Sequence, residues 1–465
     1  MLDTGKRRSV TANYLGIWRW VADGTGNVRM GVGNGLEGRI RRVVYRDSTA
    51  ESFRTIDRSP RGREGLALPV LFLADKRRAL VIDDDAEGFS TLYTMDLATL
   101  ERGEALFGTK GYDIGGIIPD ATRTKLLGVT VHGDRPGIHW IDPEMVAMQQ
   151  TVSGLVKGAQ VSIQSVSADL STAIIAIGGA DAPGGFFLFK RAGNTLMPLG
   201  YTNPSIKMRR MHPVKTIRYK ARDGLEIAAV LTLPVGRKDK LPLIVMPHGG
   251  PRARDSETWD WWAQFLADRG YAVIQPNYRG STGYGTKFME MGEGQWGLAM
   301  QDDLNDAVTE LAKLGIADPK RVCMVGGSYG GYAAIRAAQR DGSLYRCAVS
   351  FAGVSDLNRM VRHHRNFLYG NIRGAWLREQ APDLKSVSPI NFPEQFTIPV
   401  LLVHGEKDGV VPVAQSREMV EQLKKAGKDV TYIVQPEGDH HLSRGADRLE
   451  FLKAMEAFLA KHNPA

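Results

Sequence analysis

The chain has 465 residues, of which 43% are apolar and 24% charged, and its net charge is +9. This composition is typical of a globular protein of about two or three domains and excludes a disordered or low-complexity chain. No segment approaches the roughly 18 apolar residues of a membrane-spanning helix, and the basic residues lack the aromatic-plus-basic pattern of a nucleic-acid surface. The sequence therefore predicts neither a membrane nor a nucleic-acid partner.

The first residues bear on cellular location. Lys6, Arg7 and Arg8 resemble the charged start of a signal peptide, but no unbroken apolar stretch and no small-residue cleavage site follow them. The sequence as written predicts a cytoplasmic protein. If the amino terminus is truncated, a periplasmic or secreted protein is the alternative.

Residues 1–205 predict an all-β region, because short β-type segments alternate there with turn residues. The segments are, in chain order, RRVVYRD, LPVLFLAD, RALVIDDD, TLYTMDL, LLGVTVHGD, GIHWIDP, TAIIAIGG and GGFFLFKR. STLYTMDLATLE, PGIHWIDPEMVA and GGFFLFKRAGNT form a loose repeat with a period of about 45 residues, typical of four-stranded propeller blades. At that period the region holds about four blades, so we expect a partial or truncated β-propeller.

Residues 206–465 predict an α/β domain with a mostly parallel sheet, because apolar strands alternate there with helical segments. The strands are LPLIVMP, YAVIQP, RVCMVGG, RCAVSFAG, IPVLLVHG and DVTYIVQP. A helix is predicted from near Ala299, with Asp302 and Asp303 as favourable charges at its start rather than metal ligands. Cys323 and Cys347 lie in buried strands, and we expect both to be reduced thiols.

The segment VCMVGGSYGGYAAI, residues 322–335, places one serine among glycines where a strand meets a helix. Gly326 to Gly330 match the G-x-S-x-G motif of a nucleophile turn. In such a turn the two backbones approach closely, so glycine is needed beside the serine and the serine itself is strained. The motif predicts Ser328 as an exposed nucleophile.

A serine nucleophile needs a base and a carboxylate, which this motif expects further along the chain in the order Asp, His. Asp408 follows the strand IPVLLVHG, and His440 and His441 follow DVTYIVQP. Because parallel strands end at one edge of the sheet, these side chains can meet Ser328 there. Either histidine satisfies the pattern.

Attack on a carbonyl also needs hydrogen-bond donors for the oxyanion. The Tyr329 N–H, directly after the nucleophile, is one expected donor, and the Gly250 N–H in the loop of LIVMPHGGP is the other. His248 in that loop is interpreted as a structural residue.

Two other motifs carry no cofactor or metal prediction. Gly292 to Gly297 fit G-x-G-x-x-G, but no strand precedes them, which argues against a dinucleotide site. His363 and His364 lack a metal-ligand spacing. We therefore predict an enzyme without a metal or cofactor.

Five motifs resemble those of the prolyl oligopeptidase family of serine peptidases, especially its acylaminoacyl-peptidase and dipeptidyl-peptidase-like branch. They are MPHGGP, PNYRGSTGYG, GGSYGGY, HGEKDGVVP and PEGDHHLSR, and they span most of residues 206–465. The resemblance implies an α/β-hydrolase domain capped by a propeller over residues 1–205 that screens substrates by size. It also implies the triad Ser328, Asp408 and His440, with His440 favoured over His441, and Tyr329 and Gly250 as oxyanion donors.

The expected function is a serine peptidase that hydrolyses short peptides through an acyl-enzyme. The alternatives are a carboxylesterase acting on small esters and a catalytically silent propeller binding protein. The paired glutamates with which dipeptidyl peptidases hold a free amino terminus are not recognised, so the substrate terminus stays open. Val354, in FAGVSDL, is the expected lining of the first specificity pocket, and a homo-oligomer is compatible with the sequence.

Overall fold

The structure is a computed structural model that describes residues 5, 9, 11, 14, 16–34, 40–60, 65–75, 77–367 and 370–465. Lys6, Arg7 and Arg8 lie outside the described residues. The chain forms two compact units: Met1–Gly133, Gly137–Ala176 and Phe187–Met197 make up the first, and Asp134–Pro136, Ile177–Phe186 and Pro198–Ala465 the second. The boundary between residues 205 and 206 stays a prediction.

Four sheets follow one another along the amino-terminal part of the chain, as the propeller prediction requires. In each sheet the strands are ordered as in the sequence, and the pairing in the first three is antiparallel. The first sheet contains β1 (Ile17–Ala22), β2 (Val28–Gly33), β3 (Ile40–Tyr45) and β4 (Arg54–Pro60), and the second β5 (Pro69–Phe72), β6 (Arg78–Asp84), β7 (Ser90–Asp96) and β8 (Arg102–Phe107). The third contains β9 (Ile114–Pro119), β10 (Leu126–Val131) and β11 (Gly137–Trp140), and the fourth β12 (Gln160–Val166), β13 (Thr172–Gly179), β14 (Ala182–Lys190) and β15 (Thr195–Tyr201).

The loose sequence repeat marks the third strand of successive sheets, namely β7, β11 and β14. After β11 the chain forms helix α1 (Pro143–Leu155), where the other sheets have a fourth strand. Asp142 caps this helix by accepting from the Glu144 and Met145 amides, and Pro143 occupies its first turn. The helix was not predicted, although the Asp-Pro pair at its start was visible in the sequence.

The carboxyl-terminal part contains one sheet of eight strands, ordered β16-β17-β19-β18-β20-β21-β22-β23. β17 pairs antiparallel with β16 and with β19, and the remaining pairs are parallel. The strands are β16 (Val214–Lys220), β17 (Glu226–Thr232), β18 (Leu241–Val245), β19 (Ala272–Pro276), β20 (Ala317–Gly327), β21 (Cys347–Phe351), β22 (Val400–Gly405) and β23 (Val430–Gln435). The helices are α2 (Trp261–Asp268), α3 (Thr286–Glu290), α4 (Ala299–Lys313), α5 (Tyr329–Arg340), α6 (Leu357–His364), α7 (Gly370–Arg378), α8 (Ala414–Lys425) and α9 (Gly445–His462), with short 3-10 helices at Pro389–Asn391 and Pro393–Gln395.

Four strands of this sheet, β18, β19, β21 and β22, are buried at every residue. Successive side chains enter two separate cores: Leu402 packs in one, whereas Leu401 and Val403 pack in the other. Burial on both faces is characteristic of parallel sheets covered by helices. The predicted α/β domain, with its mostly parallel sheet, is confirmed.

The expectation of reduced thiols at Cys323 and Cys347 is wrong. The two residues are direct partners in the parallel pairing of β20 with β21, with their Cα atoms 4.8 Å apart, and they form a disulfide. Both belong to the same core, so their side chains leave the sheet on one face. The sequence placed each cysteine in a buried strand but did not show that the two strands are neighbours in this register.

Within the described part of the chain, we find no helix that combines the length and the apolarity needed to cross a membrane.

Candidate active site

Ser328 occupies the sharp turn between β20 and α5, in the conformation that the motif predicts. Its φ of 59° lies in the left-handed region, which is strained for a residue with a side chain. A Cβ on Gly326 would lie 2.4 Å from the Gly330 carbonyl oxygen, and a Cβ on Gly330 would lie 2.1 Å from that of Pro247. Both glycines are therefore required, and the Ser328 N–H donates to the Phe351 carbonyl at 2.9 Å.

Asp408 and His440 lie in the loops that follow β22 and β23, and they are in direct contact. His440 Nδ1 is 2.7 Å from Asp408 Oδ2. The other carboxylate oxygen, Oδ1, accepts from the Val410 and Val411 amides, each at 2.8 Å. The Asp408 side chain is fully buried, so these partners fix its orientation. No corresponding bond joins Asp408 to His441 among the described residues.

His404, at the end of β22, is a residue of this site that the sequence analysis did not identify. Its Nε2 lies 2.9 Å from the Val411 carbonyl oxygen and 3.3 Å from Asp408 Oδ2. Its Nδ1 lies 2.7 Å from Ser416 Oγ. Because a carbonyl only accepts, Nε2 carries a proton, and in the neutral ring Nδ1 then accepts from Ser416. The spacing H-G-x-x-D was the available indication.

The charge of Asp408 follows from these contacts. Burial alone would raise its pKa, but hydrogen bonds from His404 and His440 hold the pKa of this carboxyl well below its usual range. Asp408 therefore stays ionised at all physiological pH values. The carboxylate therefore presents a fixed negative charge to His440 Nδ1, which lies 2.7 Å from Asp408 Oδ2.

Ser328, Tyr329, Gly250 and Val354 line one cavity of about 300 Å³. Tyr329 is the first residue of α5, so its N–H has no partner within the helix. Gly250 has a φ of +119°, where glycine is favoured. The expected nucleophile, both expected oxyanion donors and the expected specificity residue therefore share one cavity.

Asp408 is hydrogen-bonded to residues that line this cavity. Val410 and Val411, whose amides bind Asp408, are lining residues, whereas Asp408 and His440 are outside the lining among the described residues. The structure places no hydrogen bond between Ser328 Oγ and the His440 ring within its described part. In free enzymes such catalytic hydrogen bonds are often long and tighten when substrate binds.

The contacts of His248 are those of a structural residue rather than of a catalytic base. Its ring stacks on Tyr278 with centroids 4.4 Å apart, and its Nε2 is 2.9 Å from Ser281 Oγ. Burial lowers the pKa of His248 to about 4, so the ring is neutral at physiological pH. His248 thus holds the loop that carries Gly250.

The two motifs for which the sequence predicted no cofactor or metal lie after or on helices. Gly292 to Gly297 follow α3 rather than a strand, and His363 and His364 lie on α6. The described residues hold no cluster of three or more histidine, cysteine or acidic side chains that could bind a metal ion.

The helix-start interpretation of Asp302 and Asp303 was incomplete. Asp303 is fully buried and lies 2.7 Å from Arg279, and Asp302 pairs with Arg340. The two carboxylates are therefore held by guanidinium groups, in addition to their place in the first half of α4.

The fold of the second unit, with a nucleophile turn after a central parallel strand, defines an α/β hydrolase, and it is preceded by propeller-like sheets. Residues 257–464 match the model of the prolyl oligopeptidase family, so this part of the chain belongs to that family. The chain is 30% identical to a dipeptidyl aminopeptidase BIII from Pseudoxanthomonas mexicana over 83% of its own length, and 27% identical to a dipeptidyl peptidase family member 6 from Caenorhabditis elegans over 93%. It spans 58% and 63% of the lengths of these two relatives.

The fold also matches a solved structure of a puromycin-hydrolyzing peptidase from Mycobacterium tuberculosis. The TM-score is 0.76 at 24% sequence identity, and the match covers 99% of this chain and 72% of the other. At this identity the likeness shows the fold alone. It includes both the propeller-like sheets and the hydrolase sheet.

Proposed function

We propose that the protein is a serine peptidase that hydrolyses short peptides through an acyl-enzyme. Ser328 is the nucleophile, His440 the general base and acid, and Asp408 the carboxylate that orients His440. The observation that carries the proposal is the 2.7 Å bond between His440 Nδ1 and buried Asp408, in loops at the sheet edge where β20 delivers Ser328. Family membership supports the same chemistry.

The first half of the reaction forms the acyl-enzyme. Ser328 Oγ attacks the peptide carbonyl as His440 Nε2 takes the hydroxyl proton, and the oxyanion receives the Tyr329 and Gly250 N–H groups. His440 then gives the proton to the leaving amine as the C–N bond breaks. In the second half a water molecule repeats the same sequence on the ester and releases the acid and the Ser328 hydroxyl.

The cavity beside Ser328 supports a preference for a large apolar side chain at the residue whose carbonyl is attacked. Val354, Met360, Trp376 and Leu377 contribute to its walls, and about 300 Å³ holds an aromatic ring. Burial of such a ring is worth about 2–3 kcal/mol. We therefore expect phenylalanine and leucine substrates to exceed glycine substrates in kcat/KM.

The relative that is 30% identical is named a dipeptidyl aminopeptidase, which supports cleavage of a peptide bond. The same three side chains also suit a carboxylesterase, because ester and amide attack share a tetrahedral intermediate. A peptidase and a carboxylesterase therefore differ in the leaving group that they accept, an amine or an alcohol, and not in the nucleophile.

The test compares turnover of aminoacyl and dipeptidyl anilides with that of matched acyl esters, each with free and blocked amino termini. The proposal expects anilide hydrolysis that is lost in Ser328→Ala. Hydrolysis of esters alone identifies the carboxylesterase instead. A folded protein that is inactive on both supports the silent binding protein.

A further inference from the structure

The cavity beside Ser328 is lined by residues from several elements of the fold. One side comes from the nucleophile turn and the Val410–Val411 loop, and the other comes from the helix pair α6 and α7. Most of the lining is apolar, as Met360 and Trp376 illustrate. The helix pair also brings two nitrogen-rich side chains to the cavity, His364 and Arg373.

Neither side chain has an acidic partner among the described residues. The described lining residues of the cavity include no aspartate or glutamate. Arg373 forms no ion pair within 4.0 Å among the described residues, whereas Arg252, whose guanidinium lies over the Trp376 ring, is paired with Glu293 at 2.6 Å. In the part of the chain that the structure describes, the His364 Nδ1 atom is buried and has no hydrogen-bond partner.

Arg373 also affects the charge state of His364. Burial, followed by the positive charge of Arg373 and then of His363, lowers the pKa of His364. His364 is therefore neutral near pH 7, and Arg373 supplies the positive charge of the cavity. A neutral, unpartnered ring nitrogen beside a guanidinium provides a hydrogen-bonding position next to a charge.

We propose that Arg373, assisted by His364, makes this cavity select substrate side chains that carry an acidic group on an apolar stem, and reject cationic ones. The inference rests on the proposed function, since it assigns a specificity to the same site. A glutamate carboxylate entering the cavity gains a guanidinium partner that no resident acid already occupies. A lysine side chain of similar length meets the same charge as repulsion.

Glutamate and glutamine substrates test the charge alone, because the two side chains have nearly the same shape. We expect wild-type kcat/KM for a glutamyl anilide to exceed that for the glutaminyl anilide by about three- to tenfold, a modest factor because Arg373 is solvent-exposed. Arg373→Ala should bring the ratio to about one, and Arg373→Glu should invert it. Arg373→Lys should retain most of the preference.

Arg378→Ala is the matched control, because Arg378 is exposed on the same helix and does not line the cavity. It should leave the glutamate-to-glutamine ratio at its wild-type value. A wild-type ratio at or below one, or a ratio that Arg373→Ala does not change, overturns the inference. Hydrolysis of the phenylalanyl anilide separates this result from failure of the proposed function, which would abolish turnover of every substrate.

Discussion

Two neighbouring regions of the catalytic unit hold their functional groups by opposite means. Asp408 is oriented through its side chain, which is buried and contacted by His404, His440 and the Val410 and Val411 amides. Ser328 is positioned through its backbone, by a left-handed φ and by glycines with no room for a Cβ. The side-chain network protects a charge, whereas the strained turn exposes a hydroxyl.

The difference implies different sensitivities to substitution. Around Asp408 the critical changes are those that remove a hydrogen bond, and around Ser328 they are those that add a single methyl group. We therefore expect substitutions in the two regions to reduce activity for different reasons.

Replacing Asp408 with Asn should lower kcat by about 10⁴-fold, because the amide neither stabilises the imidazolium nor holds the required tautomer of His440. The fold should survive, since the substitution keeps the side-chain shape. Steady-state kinetics with an anilide substrate measures the effect. Activity within tenfold of wild type would remove Asp408 from the triad.

Alanine at Gly330 should reduce kcat/KM by at least about 100-fold, because the new Cβ would lie 2.1 Å from the Pro247 carbonyl and displace the turn. Gly409, beside Asp408, is the control: a Cβ there meets nothing within 4 Å. Gly409→Ala should therefore keep near-wild-type activity and stability. Equal effects at the two positions would contradict the contrast between the two regions.

Replacing His404 with Gln should lower kcat by about tenfold with little change in KM, because Asp408 loses a partner that is not in contact with substrate. Ser416→Ala, which removes the hydroxyl on the other side of the ring, should have a smaller effect in the same direction. A fall in thermal stability with unchanged kcat would assign His404 a purely structural role.

The smallest effect concerns stability rather than activity. Burial, and then repulsion from Asp260, raises the pKa of Asp255 to about 7. A raised carboxyl pKa contributes stability at low pH that is lost as the pH rises through about 7. Asp255→Asn should therefore stabilise the fold at pH 8 and have little effect at pH 4. Denaturant unfolding at the two pH values measures this, and a stabilisation that does not depend on pH would contradict it.

The sequence predicted the features that depend on local pattern. Alternating apolar segments identified the strands. The glycines around Ser328 identified a sharp turn in which Gly326 and Gly330 have no room for a Cβ. The order of Ser328, Asp408 and His440 along parallel strands was enough to predict the edge at which they lie. Their roles in catalysis remain part of the proposal.

The sequence did not reveal the contacts that depend on which strands and loops are neighbours in the fold. The disulfide between Cys323 and Cys347 requires the register of two adjacent strands, and the contact of His404 with Asp408 requires the fold of their loop. The helix pair that brings Arg373 to the cavity follows Ser328 after α5 and β21, and no periodicity in the sequence indicates that the pair lines the same cavity as Ser328.

Mapping the residue that a fluorophosphonate probe modifies in the folded protein directly tests whether Ser328 is the nucleophile. We predict one adduct, on Ser328, formed rapidly in the wild type and much more slowly in His440→Ala. Peptide mass analysis locates the adduct, and thermal unfolding shows that both proteins are folded. Labelling of a different residue, or no labelling of folded wild-type protein, would contradict the account.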